Sequence, residues 1–390
     1  MNYGKFVFSQ IVTFIPARIF NRCVIAFKGD KWTKHFTCWN QLLCMMFVQL
    51  SNRDSLRDLL VCLNAHQPKH YHMGFGKSIS RSNLAEANEN RDCKIFEMFA
   101  YEMIAEAQKV AIPDNDFNLS IKENVYAFDS TTIDLCLNVF WWATFRRAKA
   151  AVKMHTLLDI KTSIPAFVHI TPASVHDVRG LDELIYESSG YYIMDRGYID
   201  FERLSNIDHH DAFFVSRAKN NLQFTRISSN KSDKSKGIIC DQKISLKGFH
   251  SSQLYEKNLR RVKFHDAEQN RTFVFLSNNL ELPAIEIAML YKYRWKIELF
   301  FKWIKQHLKI KSFWGTSENA VKTQIYIAII TYTLVVIIKG KLKLKQSTYE
   351  ILKIMSVSLL DKTHLPCLFN NPINQDVKEQ NHIQLKINLI

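Results

Sequence analysis

The sequence predicts an α/β fold, in which a mixed sheet flanked by helices follows an N-terminal helical region and is interrupted by a β-rich insertion. Three observations carry this. Apolar residues recur at helical spacing up to about Asp116, the period shifts to two from Asn124, and the polar, basic stretch between Asn220 and Asn278 is strand-like before helical spacing returns. With 390 residues and 47% hydrophobic content, the chain can form two or three domains with real cores.

In the helical region, Trp39 to Leu50 is strongly apolar and Ser55 to Leu63 is amphipathic. A loop through Gly74 and Gly76 follows, and Ser80 caps a helix beginning Arg81-Ser82-Asn83. This basic loop (Lys77, Arg81) entering a polar helix resembles a helix-turn-helix element and suggests DNA contact, although polar capped helices are common. Ile112 to Asp116 reads as a linker.

Val125 to Asp129, Lys153 to Ile160 and Ala166 to Thr171 read as three strands of an antiparallel meander, with Lys161-Thr162-Ser163 as a reversal. Gly180 to Ser188 reads as a helix and Tyr191 to Met194 as a fully apolar strand ending on Asp195. Arg196-Gly197 turns into a helix from Phe201, and Ala212 to Val215 is a fifth strand. Three strands, helix, strand, helix, strand is the order of a ribonuclease-H-like sheet. Within the insertion, Leu222 to Ile227, Gly237 to Leu246 and Arg271 to Leu276 read as strands. The boundaries expected are 1–116 for a helical DNA-binding domain, 117–219 and 279–340 for the two parts of the core, 220–278 for the insertion and 341–390 for a C-terminal helical region.

Between Tyr291 and Lys309 one helix is expected to carry a polar slot. At roughly 100° per residue, Tyr291, Arg294, Glu298, Lys305 and Lys309 fall within an arc of about 60°, with Lys302 beside it. Leu290, Ile297, Phe301, Ile304 and Leu308 flank the slot on one side and Leu299, Phe300 and Trp303 on the other. A lone carboxylate framed by bases suits a divalent cation and a phosphodiester together. Ordinary ion pairs, Arg294 to Glu298 and Glu298 to Lys302, would give the same pattern.

Formal net charge is +15, and the excess is clustered. Arg217 to Lys263 holds twelve Lys and Arg against three acids, and Lys292 to Lys311 seven against one. Clustered positive charge points to a polyanion. The longest apolar run, Ile325 to Ile338, is about 14 residues, short of the ~20 that span a bilayer, so a buried core helix is expected and no membrane partner. Met1 to Phe6 lacks the features of a secretory signal, so a cytoplasmic location is expected. Eight cysteines without a Cys-x-x-Cys pair and 14 histidines without ligand spacing argue against zinc and redox sites. The cysteines are expected to be reduced, buried, small apolar residues.

Asp129 and Asp195 each end an apolar strand. A carboxylate there is costly unless it binds something, and neighbouring strands would set the two side by side. With Glu298 they supply three hard ligands, enough for two metal ions in an in-line phosphoryl displacement. Asp134, Asp159 and Asp177 also lie near strand ends and remain rivals.

Tyr291-x2-Arg294-x3-Glu298-x6-Lys305 resembles the signature helix of bacterial cut-and-paste transposases of the insertion-sequence-four family. Phe128-Asp129-Ser130-Thr131 is similar to that family's first acidic motif and Asp195 to Phe201 to its second. Further similarity runs through Val152 to Thr156, His169 to Thr171 and Val175 to Asp177. The resemblance implies a DDE transposase in which Asp129, Asp195 and Glu298 hold two Mg2+ ions, with Mn2+ as a substitute. Arg294 and Lys305, with Lys302 and Lys309, would contact DNA, and Tyr291 would bond a phosphate or orient the helix. It further implies transposon ends and target DNA as partners, a homodimer on paired ends, and a nucleoid-associated protein of the bacterial cytoplasm. The family nicks the transposon end, forms and opens a hairpin, and joins the end to a target. The insertion resembles the family's interrupting domain, which supports the hairpin and a flipped base, yet has no Trp, offering Phe224, Phe249, Tyr255, Phe264, Phe273 and Phe275. Trp303 is expected in the core and Trp295 at the slot's border. The alternatives are a catalytically inactive repressor of its own element and a ribonuclease-H-like nuclease that only cuts.

Overall fold

The computed structural model describes residues 4–76, 79–113, 116–136, 139–146 and 149–369. Lys77, Asp114, Asn115 and the C-terminal stretch from 370 lie outside the described residues.

The N-terminal region is helical, as expected: α1 (Val7–Val12), α2 (Ala17–Ala26), α3 (Cys38–Leu50), α4 (Leu56–Ala65), α5 (His70–Met73), α6 (Arg81–Asn90) and α7 (Lys94–Val110). Thr37, Ser55 and Ser80 each accept a backbone N–H from three residues on, which satisfies donors that the first turns of α3, α4 and α6 leave open.

The core sheet begins with β1 (Val125–Leu135), β2 (Thr144–Arg146), β3 (Lys149–Asp159) and β4 (Pro165–Pro172). β1 and β4 both run antiparallel to β3, giving the expected meander. At the β3–β4 reversal the Asp159 carboxylate accepts from the Lys161 N–H at 2.9 Å and the Thr162 hydroxyl at 2.6 Å, and Ser163 takes a φ of 58°. β5 (Tyr191–Met194) then lies parallel to β1, and β6 (Phe213–Arg217) parallel to β5 after the crossover through α8 (Phe201–His209). The order β4-β3-β1-β5-β6, three antiparallel strands followed by two parallel ones, is the ribonuclease-H-like arrangement.

Two local expectations are corrected. In place of a helix over Gly180 to Ser188, Asp177–Glu183 forms a 3-10 segment and the chain then runs without helix to β5. The segment lies hard against the sheet: a Cβ on Gly180 would stand 2.7 Å from His155 Nδ1 and 2.9 Å from Phe128 Cζ. The insertion has four strands among the described residues where three were expected: β7 (Phe224–Asn230), β8 (Ile238–Leu246), β9 (Leu259–Asp266) and β10 (Arg271–Ser277), with α9 (Phe249–Leu254) between β8 and β9. β10 pairs antiparallel with β6, so the same sheet continues β6-β10-β9-β8-β7. Inside this extension Arg260 donates to both oxygens of Asp241 at 2.8 Å, with both side chains 5% exposed.

The helix expected from Tyr291 to Lys309 is two, α10 (Ala284–Tyr293) and α11 (Trp295–His307), meeting at Arg294. Arg294 keeps right-handed helical dihedrals (φ −52°, ψ −30°), so the slot survives the junction. Leu308 is extended and ends the helix, which leaves Lys309 beyond it. α12 (Glu318–Leu342) is longer than its apolar run suggested and would suffice by length and composition to cross a membrane, yet it is buried inside the fold, packed on α7 and α3, with α13 (Thr348–Ser358) beside it. Cys23, Cys38 and Cys44 are buried as expected. Cys136 and Cys367 are exposed and Cys62, Cys93 and Cys240 half-buried, which corrects the expectation for these five.

Candidate active site

Parallel pairing of β1 with β5 matches Val125 with Tyr191 and ends at Phe128 with Met194. Asp129 and Asp195 are the next residue on each strand, so the apolar pairing delivers two carboxylates to one end of the sheet. The α10–α11 junction packs over this end and supplies Tyr291, Arg294 and Glu298.

Hydrogen bonds gather the three acids at the α10–α11 junction. The Tyr291 hydroxyl donates to Asp195 Oδ1 at 2.9 Å, Arg294 Nη1 donates to Asp129 Oδ2 at 3.2 Å, and Arg294 Nη2 donates to Glu298 Oε1. The guanidinium also lies 5.7 Å from the Tyr291 ring centre. Asp129 Oδ1 accepts from the Ser130 N–H at 2.8 Å and from the Tyr198 hydroxyl at 3.2 Å.

Burial raises the Asp129 carboxyl above its ordinary range, against the opposing pull of the Ser130 N–H, Arg294 and Tyr198; the negative charge of Glu298 adds to the rise. For Tyr291, burial and the Asp195 charge push the phenol up despite Arg294, so it stays a donor. Burial works to lower Arg294, but Tyr291, Glu298 and Asp129 outweigh it and the guanidinium is held above its usual value.

The donor set is carboxylates only, the chemistry that suits a hard divalent ion, with a positive guanidinium lying between two of them. Among the described residues no three His, Cys, Asp or Glu side chains stand close enough to share one ion. Arg294 bridges Asp129 and Glu298.

The other slot residues divide. The Lys305 ammonium donates to the Thr132 carbonyl at 2.7 Å, three residues past Asp129, and burial followed by the nearby Lys311 lowers its pKa. Lys302 is exposed on the helix. Lys309 is not in the slot: beyond the helix end, its ammonium meets Asp54 at 2.7 Å and its N–H donates to Gln49 at 2.7 Å, so it fastens the helix end to the N-terminal region. Trp303 packs against Tyr332 with ring centres 4.9 Å apart, while Trp295 is 57% exposed beside the site. Trp295, Phe264, Phe273 and Phe275, with Arg217 and Arg271, border a cavity of about 600 Å³ that opens onto Glu298.

Geometry also separates the rival acids. Asp159 serves the β3–β4 reversal, and Asp134 lies exposed five residues beyond Asp129. Asp177 does reach the site's edge: its Oδ1 accepts from the Ser130 hydroxyl at 2.6 Å and stands 3.1 Å from the Lys153 ammonium. The role of Tyr198 escaped the sequence reading, although its place within the second acidic motif was the available signal.

Residues 120–334 match the family model described as Transposase DDE domain, and residues 3–76 match a domain of unknown function, DUF4372. The chain is 37% identical over 210 residues to the protein named "Putative transposase y4zB" of Sinorhizobium fredii, covering 53% of this chain and 58% of that protein. It is 32% identical over 212 residues to the "Probable transposase for insertion sequence element IS5377" of Geobacillus stearothermophilus, covering 53% and 54%. A third relative, the "Putative transposase for insertion sequence element IS4SA" of Synechocystis, is 27% identical over 271 residues, 66% of this chain and 71% of that protein. The chain thus spans little more than half the length of the first two relatives.

Proposed function

Because this chain belongs to the family of DDE-domain transposases, we propose that it is a metal-dependent DNA transposase that moves an insertion sequence by cut-and-paste. The observation that carries the reading is the gathering of all three acids at the α10–α11 junction, Asp195 through Tyr291 and both Asp129 and Glu298 through Arg294.

Asp129, Asp195 and Glu298 are the groups that would hold divalent ions, Mg2+ with Mn2+ as a substitute, two in number. Such ions supply an activated attacking oxygen and charge neutralisation on the departing one. Arg294, which donates to both Asp129 and Glu298, would offer its two-pronged donor to a phosphate once those acids held cations, a fit to paired oxygens that a lysine lacks. Tyr291 keeps its proton and orients Asp195. Lys302 and Lys305 flank the same face and add positive charge for the DNA backbone.

The chemistry is a series of phosphoryl transfers at this one site. Water attacks the phosphodiester at the transposon end and releases a 3′-hydroxyl. That hydroxyl attacks the opposite strand, releasing the flanking DNA and leaving a hairpin on the transposon end, which water reopens. The same hydroxyl then attacks target DNA and joins the end. The cavity bordered by Trp295, Phe264 and Phe273 offers aromatic faces to a base unstacked near the hairpin. Work on paired ends calls for a homodimer, and DNA as substrate places the protein in the bacterial cytoplasm at the nucleoid.

The test uses DNA bearing candidate transposon ends and, separately, a pre-cleaved end. Purified protein with Mg2+ should give hairpins from the first and joined target from the second. Cleavage without any joined product would identify a simple nuclease, and end binding without either product an inactive repressor.

A further inference from the structure

Behind Asp129 lies a polar cluster that takes no part in the contacts with Tyr291, Arg294 or Glu298. Ser130, the next residue on β1, donates its hydroxyl to Asp177 Oδ1 at 2.6 Å. The same oxygen is 3.1 Å from the Lys153 ammonium, which also donates to the Val175 carbonyl at 2.7 Å. Lys153 is 8% exposed, so its charge is held largely out of water, and Asp177 is the carboxylate that answers it. These contacts draw three elements together. The β1–β3 register sets Lys153 opposite Thr132 and His155 opposite Ser130, and Gly180 lets the 3-10 segment that begins at Asp177 press on His155.

We propose that Ser130, Asp177 and Lys153 form a positioning relay that fixes the Asp129 carboxylate for cation binding. A serine hydroxyl has one proton. Left without Asp177, that proton has the neighbouring Asp129 carboxylate as an acceptor, and it would compete with a cation for the same lone pairs. With Asp177 as its acceptor, Ser130 offers Asp129 only its backbone N–H, to Oδ1 at 2.8 Å. Tyr198 donates to that same oxygen, so Oδ2, which now faces Arg294, is left to the positively charged partner. Lys153 holds Asp177 in place from the far side. Partners of this kind, one bond removed from a metal, change its affinity by roughly 10- to 100-fold.

The relay rests on the reading of Asp129 as a cation ligand, and one titration tests the two separately. Mn2+ alone is titrated into the full chain and free Mn2+ is followed by electron paramagnetic resonance, with thermal unfolding recorded on the same samples. The binding lost in Asp129→Ala defines the site; no such component in the wild type overturns the reading of the site itself. Given that component, Asp177→Ala, which leaves the Ser130 hydroxyl without its acceptor, should weaken it by about 10- to 100-fold, while adding Ser130→Ala to that variant, which removes the competing proton, should return it to wild-type affinity. Wild-type affinity in Asp177→Ala, or a double variant as weak as Asp177→Ala, overturns the relay and leaves the site reading standing. Should Asp177→Ala not fold, Ser130→Ala alone decides, since it removes one hydroxyl at a partly exposed position: binding at or above wild-type affinity is expected, and weakened binding overturns the relay.

Discussion

Arg294 donates through Nη1 to Oδ2 of Asp129 across 165 residues of sequence, at 3.2 Å. Its other terminal nitrogen meets Glu298 one turn along the same helix. One guanidinium therefore stands between two carboxylates that we propose hold cations. Arg294→Lys keeps the charge but loses the fork, so strand transfer should fall at least about tenfold. Thermal unfolding and a transfer assay check this together; normal transfer by the lysine variant would contradict the phosphate role.

Tyr291→Phe removes the hydroxyl that orients Asp195 and leaves the ring in place. A stability loss of about 1–3 kcal/mol in urea unfolding is expected, with a larger effect on end cleavage. Unaltered cleavage would mean that Asp195 needs no such support.

Asp129→Asn should separate stability from activity. Burial sets the folded-state pKa of Asp129 above the unfolded value of about 4. The folded chain thus binds the proton more tightly than the unfolded one. The stability gained from the neutral form is complete below about pH 4 and is lost as pH rises through the folded-state value. At pH 7 the variant should therefore unfold at a higher Tm than wild type, with the gap closing toward pH 3, and it should not cleave DNA. A lower Tm at pH 7 would show that Arg294 and Tyr198 outweigh the cost of burial.

Gly180→Ala would drive a methyl group into His155 and Phe128. Destabilisation of about 1–3 kcal/mol is expected in denaturant unfolding. Asp241→Ala, which strands the buried Arg260, should cost about 3–5 kcal/mol by the same measurement. An effect under about 0.5 kcal/mol from either would contradict the packing described for that part of the sheet.

Much of the site was legible because its signals are local. Asp195 follows an apolar strand, Asp129 follows the apolar start of β1, which runs on to Leu135, and Tyr291, Arg294 and Glu298 keep helical spacing across the α10–α11 junction. These signals made them candidates, and the resemblance to a family signature chose them over Asp134, Asp159 and Asp177. The unread features depend on distant partners. Lys309 has the right angular position, but the helix ends at Leu308, and Gln49 and Asp54 claim the lysine. β9 alternates as a strand should, yet its Arg, Lys and His residues masked the apolar rhythm, and Arg260 is buried only because Asp241 meets it. The joining of β10 to β6 is a pairing across about sixty residues that no short window reveals. Asp177 stood among the rival acids, and only its contact with Ser130 shows why it belongs beside the site.

The most direct test of the account takes Asp129→Ala, Asp195→Ala and Glu298→Ala, with the wild type, on end-bearing DNA with and without Mg2+, scoring products and end binding in parallel. Hairpin and joined products should form only with wild type and Mg2+, while all three variants still bind the ends. A variant that continues to cleave, or one that loses DNA binding together with cleavage, would contradict the assignment of these three acids to a single phosphoryl-transfer site.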